Sequence, residues 1–237
     1  MRRGGTDVLR SGRESLRTGP WRGDAEVACL SPLPDAPAPS APFVRQCLEQ
    51  LSARGFSRVV TTALSEPEQV GFLDAGFCIE ENLHLLVHDL RRLPAAVQAP
   101  LRRAGHSDRR SVLQVDAQAF PPFWRIDEQG LSDALAATPR NRFRVASGET
   151  GVTAYAITGR AGRRGFLQRL AVHPELQHRG LGRALATDAL HWLRRWRVDR
   201  AVVNTQLDNI RALRLYESLG FRREGTCLSV LSRGLDR

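Results

Sequence analysis

The sequence predicts an α/β fold built from two successive units, and three observations predict it. From Phe43 onward, short β-branched runs alternate with segments whose apolar residues fall three or four apart, the periods of strand and helix. A glycine-bearing junction, Gln177-His178-Arg179-Gly180-Leu181-Gly182, stands between a strand pattern and a helix pattern. One order of elements occurs twice: RVVTTALSEPEQVGFLDAGF over 58–77 and RAVVNTQLDNIRALRLYESLGF over 200–221. Each copy reads strand, helix, Gly-Phe turn, and each is followed by a further strand, which points to a duplication.

The elements follow in chain order. Residues 1–23 are arginine-rich and read as a flexible arm, and 31–42, with five prolines, read as a linker. Together 1–42 are expected to stand outside the folded units. Val44, Cys47, Leu48 and Leu51 share a helix face that Gly55 closes. Residues 58–64 make a strand, 66–74 a short helix and 79–90 another strand, so 43–92 form the first unit. Residues 93–105, with Pro94 and Pro100, connect it to the second, over 107–237. There 112–120 and 131–137 are helical, 143–146 and 152–157 form a hairpin, and 166–172 a strand. Leu181, Leu185, Ala189 and Leu193 fall four apart on one helix face. A strand over 200–205, a helix over 209–219 and a closing strand over 226–231 complete the pattern.

Composition excludes several function classes. No apolar run reaches the ~18 residues of a membrane span, so no membrane partner is expected. The first residues carry arginine but no apolar core, which argues against a secretory signal. Cys29, Cys47, Cys78 and Cys227 are scattered, with no CxxC and no histidine at ligand spacing. Free thiols in a reducing, cytoplasmic setting are expected, with no metal. The net charge of +10 raises the question of nucleic acid. All 35 basic residues are arginine, however, and they are spread along the chain with no aromatic stacking platform among them. No nucleic-acid partner is expected; a basic surface does raise the local concentration of a polyanionic cofactor.

The junction at Gln177–Gly182 carries the chemistry. Two glycines two apart let the backbone turn tightly and approach a ligand closely. Amides at the helix N-terminus, with the dipole behind them, suit a pyrophosphate. Arg179 and Arg183 can add salt bonds to phosphate. A Walker loop is excluded because no Lys-Ser/Thr pair follows the glycines. A dinucleotide fingerprint is excluded because GxGxxG and its ribose-binding acid are both missing.

The run LQRLAVHPELQHRGLGRALATDAL, followed by VNTQLDNIRALRLYESLGF, resembles the N-acetyltransferases of the GNAT superfamily. The resemblance is good over 152–231 and weak before that. It implies a mixed, mostly antiparallel central sheet flanked by helices, and acetyl-CoA as co-substrate. It further implies that Leu170, Ala171 and Val172 lend backbone groups to the pantetheine arm. Gln177, His178, Arg179, Gly180, Leu181, Gly182 and Arg183 would hold the pyrophosphate, and Asn209, Ala212 and Tyr216 would line the arm. Asn209, Ala212 and Tyr216 stand at i, i+3 and i+7, so one helix face can present all three. A phenol there can hydrogen-bond or protonate a leaving thiolate, which makes Tyr216 the catalytic candidate.

A general base is harder to find. Many members carry a glutamate at the start of the strand before the loop, whereas this chain reads Arg164-Gly165-Phe166-Leu167-Gln168. An α-amine, with a pKa of roughly 7.7–8.0, needs less help than a lysine amine at roughly 10.4. His173 and Glu175 lie close by in sequence, but Pro174 starts the loop on the cofactor side. Residues 116–124, DAQAFPPFW, loosely resemble the acceptor-bordering segment of ribosomal-protein N-terminal acetyltransferases; a hydrophobic helix-loop packed on the sheet is the other reading. Trp192 and Trp196 read as core or interface residues.

The first unit has the late half of the same pattern without a phosphate loop. At the place of Asn209 it has Ser65-Glu66-Pro67, and at that of Tyr216 either Leu73 or Phe72. It is therefore expected to be a truncated, structural GNAT-like unit, in a tandem arrangement that resembles mycothiol synthase. The expected function is acetyl transfer from acetyl-CoA to a primary amine, with a peptide or small molecule as acceptor and a monomer or homodimer as the working form. The alternative is a GNAT-fold module that binds CoA or a protein without turnover.

Overall fold

A computed structural model describes residues 7–33, 36–97, 99–148 and 151–235. The chain divides into two compact units, residues 1–84 with 225–237, and residues 85–224.

The first unit opens on three antiparallel strands, β1 (Asp7–Ser11), β2 (Glu14–Trp21) and β3 (Asp24–Pro32). The expectation of a flexible arm and linker over 1–42 is corrected here for 7–32; residues 1–6 lie outside the described residues. The physical reason is alternation. Leu9, Leu16, Thr18, Ala28 and Leu30 turn inward, while the arginines that suggested an arm occupy the outward positions Arg10 and Arg17. Helix α1 (Ala41–Ala53) begins inside the proline-rich stretch, capped by Ser40, and buries Phe43, Val44, Cys47, Leu48 and Leu51. Pro42 sits in its first turn, where a missing N–H costs nothing. Strand β4 (Arg58–Thr61) pairs in parallel with β3, and α2 (Glu66–Asp74) starts at a Ser65–Glu68 capping box. β5 (Cys78–His88) carries the chain into the second unit.

In the second unit β6 (Leu101–Arg103), placed in the expected connector, is followed by α3 (Arg109–Ala119) and α4 (Glu128–Ala136). β7 (Arg140–Gly148), β8 (Gly151–Ala161) and β9 (Arg164–Val172) then form an antiparallel meander. Helix α5 (Leu181–Arg195), β10 (Arg200–Gln206), α6 (Ile210–Ser218) and β11 (Arg222–Gly234) complete the unit and return the chain to the first one, where β11 pairs with β4. The strand order β10-β9-β8-β7-β6 is antiparallel except between β10 and β9. Each sheet face has its own core. One is built with α5 around Leu167, Leu185, Leu190 and Leu193, the other with α3 and α4 around Val112, Leu131, Tyr155 and Ile157. No helix among the described residues is long and apolar enough to cross a membrane.

The expected repeat is present as two copies of one local structure. β4–α2 and β10–α6 each end in a glycine at positive φ, Gly76 (87°) and Gly220 (93°). The next residue's amide then reaches back to the same place: Phe77 N–H to the Phe72 carbonyl, and Phe221 N–H to the Tyr216 carbonyl, both at 3.1 Å.

Candidate functional site

The site forms where two parallel strands part. β9 and β10 pair through Arg164↔Arg200, Gly165↔Ala201 and Phe166↔Val202, and then cease to pair with each other. β9 runs on to Val172, still laddered to β8, and β10 runs on to Gln206. One backbone edge of β9 beyond Phe166 thus faces the gap, and Leu170, Ala171 and Val172 lie on it. A bulge opposite Ile157–Thr158, with Gln168 as the extra residue, bends the strand at this point.

The gap leads to the N-terminus of α5. Gly180 caps the helix in the left-handed region, φ 82°, with no side-chain cap. Ala184 is the first residue to close a helical bond, onto the Gly180 carbonyl at 2.9 Å. The amides of Leu181, Gly182 and Arg183 therefore have no intrahelical acceptor. A Cβ on Gly182 would lie 3.3 Å from Leu215 and 3.6 Å from Val172, so the turn sits close against β9 and α6 and a side chain there would crowd Leu215. His178 also adopts positive φ, 63°. His178, Arg179 and Gly180 are exposed.

Side chains brace the turn. Gln177 Nε2 donates to the Val172 carbonyl (3.3 Å), and its Oε1 accepts from Arg211 (2.9 Å). Arg183 donates to Ser218 (3.0 Å). The sequence reading missed Arg211; its place two residues after Asn209 was the available signal.

Asn209 is the cap of α6 rather than a residue within it, and its Oδ1 accepts from the Ala212 amide at 3.1 Å. Tyr216 follows on the buried side, 6% exposed, with its ring 5.6 Å from that of Phe221. Its hydroxyl makes no hydrogen bond among the described residues, and burial raises its pKa well above the usual tyrosine value. The phenol is therefore protonated at physiological pH.

The acid missing from the start of β9 is not replaced at that position. His173 accepts from the Glu175 amide (3.3 Å) in the short turn that follows β9, on the loop side. A buried carboxylate does lie on the opposite sheet face. Asp116, fully buried on α3, accepts from the Tyr155 hydroxyl, from Arg169 Nε (2.5 Å) and from the Ile126 amide (3.0 Å). Arg169 also donates to the Trp124 carbonyl (2.7 Å). Burial raises the Tyr155 phenol, with Arg169 opposing and Asp116 adding to the rise. Sequence reasoning quoted Asp116 only as part of a resemblance and missed its partner, because a contact between residues 53 apart has no local signature. Of the two tryptophans of α5 and its end, Trp192 packs against the core, whereas Trp196 is exposed beneath the Arg160 guanidinium, 4.3 Å away.

The sequence profile of the Acetyltransferase (GNAT) family matches residues 110–221. Over this segment, just under half of the chain, the sequence is similar to the GNAT acetyltransferase family. The match covers α3 through α6 and begins well before 152–231, where the motifs lie. A mycothiol acetyltransferase of Acidothermus cellulolyticus is 47% identical over 57 residues, 24% of this chain and 17% of that protein. The N-alpha-acetyltransferase 30 of Xenopus laevis is 34% identical over 74 residues, 31% of this chain and 27% of that protein. The matched stretches thus span under a third of either relative. A tandem GNAT protein from the clavulanic acid biosynthesis pathway shares the fold, with a TM-score of 0.69 at 14% identity, over 97% of this chain and 82% of that one. The GNAT fold expected from the motifs is therefore the fold observed, and the tandem reading of the chain is consistent with it.

Proposed function

We propose that the second unit transfers an acetyl group from acetyl-CoA to a primary amine by direct attack. The observation that carries this reading is the parting of β9 from β10 after Phe166, which leads straight to the free amides at the start of α5. Pyrophosphate would rest on the amides of Leu181, Gly182 and Arg183, with His178, Arg179 and the bridged Gln177–Arg211 pair around it. The pantetheine arm would extend the free edge of Leu170–Val172 by strand-like hydrogen bonds, passing Asn209 and Ala212. The amine nitrogen attacks the thioester carbonyl carbon, the oxyanion is met by backbone N–H, and the C–S bond then breaks. The sulfur leaves as thiolate and takes a proton from Tyr216, the nitrogen loses its proton to water, and the tyrosinate recovers a proton from that water, so that Tyr216 is restored. An amide and CoA result.

The acceptor class that best suits a site without a carboxylate at the strand start is an α-amine, because a useful fraction is unprotonated near neutral pH. That an N-alpha-acetyltransferase is among the relatives supports this choice. The first unit lacks a phosphate loop and places Phe72 where the second has Tyr216, which supports a structural role and one cofactor site per chain. The working compartment is proposed to be the cytoplasm, and the working form a monomer or homodimer. The same missing carboxylate favours the rival reading of a CoA-binding module without turnover. Thiol release from acetyl-CoA, measured with free-amine peptides, polyamines and aromatic amines, separates the two. Amine-dependent release with an acetylated product is expected; CoA binding without release on any amine would favour the module.

A further inference from the structure

The Asp116–Tyr155–Arg169 cluster is more than a buried ion pair in the sheet face, because two of its hydrogen bonds and one ring contact end on one loop. Arg169 stands on β9 immediately before Leu170. Its guanidinium donates to the Trp124 carbonyl and lies 3.9 Å above the Phe120 ring. Asp116, held by the same guanidinium, takes the Ile126 amide. The loop from Phe120 to Ile126, with its Pro121-Pro122 pair and edge-to-face Phe123 and Trp124 (5.1 Å), is therefore pinned at its start, middle and end to a cluster rooted in the cofactor strand. A loop of this kind, without regular ladder bonds, owes its position to such anchors. Arginine suits this position because its planar fork serves Asp116 and the Trp124 carbonyl at once and stacks on Phe120, which a lysine cannot do.

We propose that Arg169, with Asp116, is a positioning residue that sets the 120–126 loop as a wall of the acceptor site in register with the thioester, without itself touching cofactor or acceptor. This rests on the acetyl-transfer reading above. Burying the pair costs desolvation that apolar side chains of similar size would avoid. Its place beside the proposed cofactor edge fits a need for geometry at the loop.

The test compares wild type, Arg169→Lys, Arg169→Gln and, as a milder change, Tyr155→Phe in the full chain. Three quantities are measured: CoA affinity by calorimetry, hydrogen exchange of the amides of residues 120 and 123–126, and acetyl transfer to two probes, the tripeptide Ala-Ala-Ala and tyramine. In Arg169→Gln the loop amides are expected to exchange at least about tenfold faster, since the anchors that hold them closed are gone. The probe KM should rise about tenfold or more, with kcat and CoA affinity within about threefold. Arg169→Lys should recover part of the KM, and Tyr155→Phe should move the same quantities less. A merely structural pair would lower melting temperature and active fraction with KM and loop exchange unchanged, and that result overturns the proposal. If Arg169→Gln does not fold, Arg169→Lys and Tyr155→Phe decide by the same two readouts. Should wild type acetylate neither probe, the acceptor reading fails, and loop exchange still confirms or overturns the anchoring.

Discussion

The Tyr216 ring meets that of Phe221 at 5.6 Å, and this contact has a counterpart, Phe72 against Phe77 at 5.2 Å, in the first unit. In each copy the partner follows five residues later, across a glycine at positive φ, and the backbone bonds agree. Both copies therefore carry a helix-ending aromatic lock, and at this place they differ by the phenol oxygen of Tyr216. The sequence left open whether Leu73 or Phe72 occupies the Tyr216 place; the fully buried Phe72 does, and Leu73 is 40% exposed.

The first prediction concerns that oxygen. Tyr216→Phe keeps the contact with Phe221 and removes only the donor. Turnover is expected to fall by roughly 10²–10⁴, the usual worth of a positioned acid, with CoA affinity little changed. Steady-state kinetics beside calorimetry check it. A rate within a factor of two of wild type would make Tyr216 a packing residue.

The turn at the helix N-terminus gives the second. Gly182→Asp inserts a carboxylate where a Cβ alone would already press on Leu215, and sets it against the cofactor's phosphates. CoA binding should be lost in a protein that still melts cooperatively. Gly180→Ala meets open space but a left-handed backbone, so it should cost about 1–2 kcal/mol of stability and weaken binding less.

Acid sensitivity gives the third. His88 is buried, its Nδ1 accepts from the Leu90 amide at 2.8 Å, and burial lowers its pKa below the ordinary 6.5. The unfolded chain then binds a proton that the folded chain refuses. Stability attributable to His88 is full above pH ~6.5 and declines as pH falls through its lowered folded value. Melting temperature should drop over that window, and His88→Gln should flatten the slope there. A wild-type slope unchanged by the substitution would assign the transition to other groups.

Asp108 gives the fourth, at lower pH. A two-pronged bond from Arg102 (2.7 Å to each oxygen), helped by the Gly105 amide, holds its carboxyl at about 2. Its contribution is present above the unfolded value of 3.8 and disappears as pH falls towards 2. Asp108→Asn should lower stability at pH 7 and leave it unchanged near pH 2, as thermal melts at the two pH values would reveal.

What could be read in the sequence was whatever is local. The Gln177–Gly182 turn, the face of α5 and the repeat around Gly76 and Gly220 are set by residues a few places apart. Arg211 against Gln177 and Arg169 against Asp116 were not legible, since pairs 34 and 53 residues apart meet only through the fold. The strands β1–β3 were missed for another reason. Their inward residues are few and modest in size, and the arginines between them mimic a solvated tail although they mark the outward face of a sheet.

One acetyl-CoA site per chain, built on the parting strands of the second unit, is the central proposal. Isothermal titration of the full chain with acetyl-CoA, beside Gly182→Asp, tests it most directly. A stoichiometry of one is expected, vanishing in the variant while the variant remains folded. Two sites per chain, or undiminished binding in folded Gly182→Asp, would contradict it.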